Sequence, residues 1–173
     1  MKKILYFSLL TLMIVSFAQQ ALANPSGPRL SSKHNDWAVY VYEDNGHKVC
    51  FMTSQPVKSA GNYTKRGEIH AFVTHWTEDG SKNVFNIIAG YPVKTGSVVT
   101  VTIDGKKFSL PTVKGETAWA ADNATDNALA EALQRGSTMT VQGTSQRGTL
   151  TTDTYSLRGT TAAYKALNTA CKM

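Results

Sequence analysis

Two cysteines, Cys50 and Cys171, and four histidines, His34, His47, His70 and His75, are the side chains of this 173-residue chain best suited to covalent or metal chemistry. Histidines sharing a metal on one strand need even spacing, because alternate residues point to opposite faces. His70 and His75 are five apart, and no HExxH or CxxC stretch supplies further ligands, so no metal site is expected. The acidic pairs Glu43-Asp44 and Glu78-Asp79 sit in turn-like stretches and read as solvated. DNATDN, from Asp122, lacks the glycine of a calcium loop and has Leu133 where the bidentate glutamate belongs, so it reads as helix capping. GYPVKTGS lacks the Gly-Lys step of a phosphate loop and runs into a strand. With no GxSxG elbow either, the expectation is no catalytic residue, no metal and no cofactor.

The chain opens MKKILYFSLLTLMIVSFAQQALA, two lysines before an apolar run that ends in a small-x-small site. This predicts a secretory signal over residues 1–23, cut between Ala23 and Asn24. Its apolar run is shorter than the roughly 20 residues a spanning helix needs. Removing Lys2 and Lys3 leaves 16 basic against 12 acidic residues, a mild excess. Short groups such as Lys65-Arg66 and Lys106-Lys107 do not form the basic run expected of a nucleic-acid partner.

In an oxidising compartment two cysteines read first as one disulfide, Cys50–Cys171, with free thiols and an intermolecular bridge as alternatives. A redox enzyme ordinarily keeps its cysteines close, so that one thiol resolves the other's mixed disulfide. The wide separation therefore favours a structural role.

The elements that must position these residues are mostly strands. NPSGPRLSSKHN has no apolar period and reads as a flexible tail, residues 24–35, leaving one domain over 36–173. WAVYVYE alternates, with Trp37, Val39 and Val41 on one face, and DNGH turns it into KVCFMTSQ. GEIHAFVTHWT and VFNIIAGYPV predict two more strands, and SVVTVTIDGKKFSLP a hairpin about Asp104-Gly105. Ala128, Leu129, Ala132 and Leu133 recur at helical spacing over 125–135, with Thr125 or Asp126 as cap and Gly136 after the last turn. STMTVQGTS and TLTTDTYSL predict strands, and TTAAYKALNTAC a second helix carrying Tyr164, Leu167 and Cys171 on one stripe. The fold class is mainly β, an antiparallel sandwich with two short helices. Trp37, Trp76 and Trp119, with seven tyrosines, are expected to anchor its core.

Taken in order, DWAVY, KVCFM, IAGYPVKTGSVVTVTIDGKKFSLP, Ala118-Trp119 and YSLRGTTAAYKALNTAC resemble the invasion-associated locus B family of bacterial exported proteins. The resemblance runs from Asp36 to Cys171. It implies an immunoglobulin-like sandwich exported to the periplasm or outer-membrane surface, without catalytic residues or cofactor, with a role in bacterial entry into host cells. Members often carry another cysteine in the opening strand; here that strand reads WAVYVYED, which leaves Cys171 as the intramolecular partner of Cys50.

The leading functional expectation is a non-enzymatic envelope protein that binds a protein or cell-surface partner, with peripheral association with the outer membrane as a further expectation and no nucleic acid. Its alternatives are a general envelope protein unrelated to virulence and a periplasmic small-ligand carrier with a cavity between the sheets lined by Trp76 or Trp119. A hydrolase with an unrecognised site comes last.

Overall fold

Alternation of buried and more exposed residues marks strands such as Val84–Ile88, Val99–Ile103, Thr138–Thr144 and Leu150–Ser156 of the computed structural model, which describes residues 27–173. The expected signal segment and its Ala23–Asn24 cut lie outside the described residues. β1 (Arg29–His34), β2 (Trp37–Asp44), β3 (His47–Ser54), β5 (His70–Trp76), β6 (Val84–Ile88), β10 (Thr117–Trp119) and β9 (Thr112–Lys114) form a seven-stranded sheet in that order. The second sheet has five strands, β4 (Lys58–Gly61), β12 (Leu150–Ser156), β11 (Thr138–Thr144), β7 (Val99–Ile103) and β8 (Lys106–Leu110). Every pairing is antiparallel. Helices α1 (Asn123–Arg135) and α2 (Thr160–Cys171) complete the sandwich. No helix among the described residues is long and apolar enough to cross a membrane.

The two tight hairpins follow from their turn residues. Asn45 and Gly46 take φ of 50° and 82°, and Asp104 and Gly105 take 44° and 90°. These left-handed pairs match the twist of the strands they join. Asp104 also ties its turn to the start of β11, accepting from the backbone N–H groups of Ser137 (2.8 Å) and Thr138 (3.0 Å). Pro111, which has no N–H to donate, falls where the chain leaves β8 in the small sheet and enters β9 in the large one.

Inward residues of both sheets make one core, including Trp37, Met52, Val73, Phe85, Val101, Leu110 and Tyr155. α2 lies against β1, β2, β3 and β5, with Ala163, Leu167 and Cys171 buried, and α1 packs on α2 and β6. Thr160 and Thr161 of α2 donate their hydroxyls to Leu133 O and Gln134 O, both at 2.7 Å, satisfying carbonyls that the end of α1 leaves open.

Two sequence expectations need correction. Residues 29–34 are not part of a flexible tail but edge strand β1, held by its backbone ladder to β2, with most side chains exposed and therefore no apolar period. Asp122, not Thr125 or Asp126, caps α1, accepting from Thr125 N–H at 2.8 Å. Asp126 turns inward instead and accepts from Phe85 N–H at 2.9 Å, linking the helix to β6.

Candidate functional site

At the pole where β5 begins, three connections converge: residues 62–69 between β4 and β5, 89–98 between β6 and β7, and 145–149 between β11 and β12. Backbone bonds sew them together. Gly67 N–H donates to Gly90 O (2.8 Å), Gln146 N–H to Pro92 O (2.9 Å) and Lys94 N–H to Thr144 O (2.8 Å). Gly90, at φ +71°, is essential to the first of these, since a Cβ there would sit 2.6 Å from Gly67 O.

Arg66 anchors the pole. Its Nη1 and Nη2 donate to the two carboxylate oxygens of Asp153 at 2.7 and 2.6 Å, and its Nε donates to Ala89 O at 2.7 Å. Both side chains are almost fully buried, at 5% and 3% exposure. Burial works against the guanidinium charge, but the hydrogen bonds and attraction of Asp153 outweigh it and hold the Arg66 pKa above its ordinary value. The guanidinium also lies 4.8 Å from the ring centre of Tyr91 and 5.5 Å from that of Tyr63.

Tyr91 is fixed at its other end by a 2.6 Å hydrogen bond between its hydroxyl and that of Thr151. Burial, chiefly, raises its phenol pKa, so the ring is neutral. Gly143 leaves room for that hydroxyl, because a Cβ there would come within 2.9 Å of it. Above this framework opens a cleft of about 710 Å³. Its apolar surfaces are the rings of Tyr63, Tyr91 and Pro92, and its polar walls include Asn62, Gln146 and Thr149. Exposed Lys65 and Arg147 line it with no carboxylate within salt-bridge distance among the described residues, and Glu116 is the one carboxylate in its lining. Arg66 and Asp153 neutralise each other, so the free charge of the cleft is positive.

None of these residues stood out as a site in the sequence. The available signal was Asp153: in β12 it alternates inward with Thr151 and Tyr155, and a carboxylate on the buried face of a strand requires a cation. Lys65-Arg66 was visible only as a short basic group.

The sequence candidates lie elsewhere. Cys50 and Cys171 are joined in a disulfide with Cα atoms 5.9 Å apart, pinning the end of α2 to β3. Cys50 pairs in register with His75, near the end of β5 away from the cleft. His70 and His75 do face opposite sides. His75 is fully buried, its Nε2 donating to Asn168 Oδ1 (2.8 Å) while Nδ1 accepts from Asn83 N–H (3.2 Å). His34 contacts Ser32 Oγ, and His47 is exposed at a hairpin end. Of the three tryptophans only Trp37 enters the core. Trp76 and Trp119 lie on the outer face of the large sheet, as does the cluster of Tyr40, Phe51 and Phe72, so neither lines a cavity between the sheets.

The sandwich with its terminal helix matches a known family: the family model described as "Invasion associated locus B (IalB) protein" matches residues 37–168. The chain belongs to the invasion-associated locus B family. The crystal structure of an invasion-associated protein B from Bartonella henselae superposes with a TM-score of 0.57, covering 83% of this chain and 98% of that one. At 19% identity, that likeness establishes a shared fold. No curated protein matches the sequence. Within the IalB fold of this chain, the disulfide and the cleft therefore occupy opposite ends of β5, one stapling the helix and the other gathering the loops.

Proposed function

We propose that this IalB-family protein is an exported, non-enzymatic component of the bacterial envelope that binds a host-surface or envelope partner through the loops around the cleft. The observation that carries this reading is the pre-organised cleft itself, in which Arg66 orders two tyrosine rings while Lys65 and Arg147 remain free to meet a partner. Export is supported by the N-terminal signal pattern and by a Cys50–Cys171 disulfide, which an oxidising compartment maintains. Binding without chemistry is supported by the commitments of the cleft's strongest groups, since Arg66, Asp153 and Tyr91 are all held in structural bonds.

Deleting the gene tests the role: reduced host-cell entry or an altered envelope supports it, and a bacterium unchanged in both overturns it. Fractionation with N-terminal sequencing tests export, the expected mature end being Asn24 in the periplasm or outer membrane. A small-ligand carrier is the second reading, favoured by the cleft volume, which falls in the range of small-molecule sites. It requires a bound small molecule in native mass spectra of the protein isolated from its own envelope.

A further inference from the structure

We infer that the cleft is a saccharide site selective for acidic sugar units, those carrying a carboxylate, sulfate or phosphate. This rests on reading the cleft as the partner-binding site and names the chemistry of that partner. The lining contains no Leu, Ile, Val, Met or Phe. An acyl chain or the apolar side chains of a peptide would find no aliphatic pocket there. What the cleft offers instead is flat ring surface at Tyr63, Tyr91 and Pro92, surrounded by short hydroxyl and amide side chains such as Asn62, Thr64 and Gln146. A sugar ring has the complementary surface, a patch of C–H groups edged by hydroxyls that donate and accept.

Of the two tyrosine rings, that of Tyr91 is fixed before a ligand arrives. Arg66 packs close to both, Tyr91 is tethered to Thr151, and the Gly67–Gly90 contact holds their loops together. Little ordering cost then remains for binding. Tyr63 is 37% exposed, one of five large hydrophobic side chains left so open among the described residues. The preference for acidic sugars follows from the free cations, since Lys65 and Arg147 outnumber Glu116 at the rim.

The test titrates the purified, disulfide-intact protein with trigalacturonate, maltotriose and triglutamate, read by calorimetry and by backbone amide shifts. Trigalacturonate is expected to saturate shifts within 62–67, 90–92 and 145–149 and to bind about tenfold more tightly than maltotriose. Tyr63→Ala should weaken it roughly tenfold or more, and Lys65→Gln or Arg147→Gln about two- to fivefold each. The glutamine variants change only exposed side chains, so they stay informative if Tyr63→Ala perturbs the loop. No saturable shift with either saccharide overturns the inference. So does triglutamate binding as tightly as trigalacturonate and indifferent to Tyr63→Ala, which would mark an acidic-peptide site. Bacteria carrying Tyr63→Ala with Arg147→Gln as their only copy separate the two readings. Impaired entry or an altered envelope without saccharide binding by the wild type overturns the ligand class alone, and normal entry with an unaltered envelope despite lost saccharide binding overturns the partner-binding reading alone.

Discussion

Arg66 and Asp153, 87 residues apart in sequence, meet in a two-bond ion pair that ties the loop before β5 to the inward face of β12. Their geometry is bidentate and nearly dry, so removing one member strands the other as a buried charge. Arg66→Met is expected to cost about 3–5 kcal/mol. Asp153→Leu should cost a similar amount, while the double variant should recover much of the loss. A double-mutant cycle by urea denaturation measures this coupling, and additive single losses would mean that the two charges act independently.

The bond between Cys50 and Cys171 spans a sequence separation of 121 residues. In the chain-entropy model, closing so long a loop restricts the unfolded state by on the order of 4–5 kcal/mol. Cys171→Ser should therefore lower stability by a few kcal/mol and loosen α2, seen as faster amide exchange over Thr160–Cys171. Intact-mass measurement of the untreated wild type should find no free thiol. Unchanged thermal stability in the variant would refute the role.

The parts of this fold legible from sequence are those in which local pattern and tertiary environment agree. Trp37 and Val39 alternate because one face of β2 meets the core, and Asp104-Gly105 forms a turn that few other pairs could form. The terminal helix was visible because Leu167 and Cys171 repeat along its buried stripe. β4, with the sequence KSAG, carries no such record: it is an exposed edge held to β12 by backbone alone. β1 is hidden for the same reason, and β9 and β10 have only three residues each in which to show a period. The cleft was invisible because its residues come from separate connections whose spacing obeys no helix or strand repeat. Asp126 misled for a related reason, since a carboxylate in a helix's first turn looks like a cap until β6 is seen to need an acceptor.

That inward turn of Asp126 gives the protein a pH signature. Burial raises its pKa above the ordinary 3.8, the Phe85 N–H bond offsets this in part, and Asp122 adds to the rise. A carboxyl with a raised folded-state pKa favours folding most when protonated. Its contribution is full below about pH 3.8 and declines as pH rises through the folded value. Asp126→Asn keeps an oxygen for Phe85 N–H and removes the ionisation. The variant should gain stability relative to wild type as pH is raised from below 3.8 to neutrality, with the difference flat beyond the folded pKa. Urea midpoints across pH 3–7 check this, and a difference that shrinks with rising pH would contradict it.

Gly90 offers a test of how rigidly the cleft is built. Gly90→Ala would place a methyl group 2.6 Å from Gly67 O while φ stays at +71°, so the two loops must part or the backbone must refold. Gly96 has a similar φ of +75° but nothing within 4 Å of its Cβ position, so Gly96→Ala carries the left-handed strain without the clash. The control should lose roughly 1–2 kcal/mol, and Gly90→Ala distinctly more. Because the Gly67 N–H loses its acceptor, its amide should exchange faster in Gly90→Ala and keep its wild-type rate in Gly96→Ala. Equal stability losses with Gly67 protected in both would show that the loops accommodate the methyl, and that the cleft walls are not fixed by this contact.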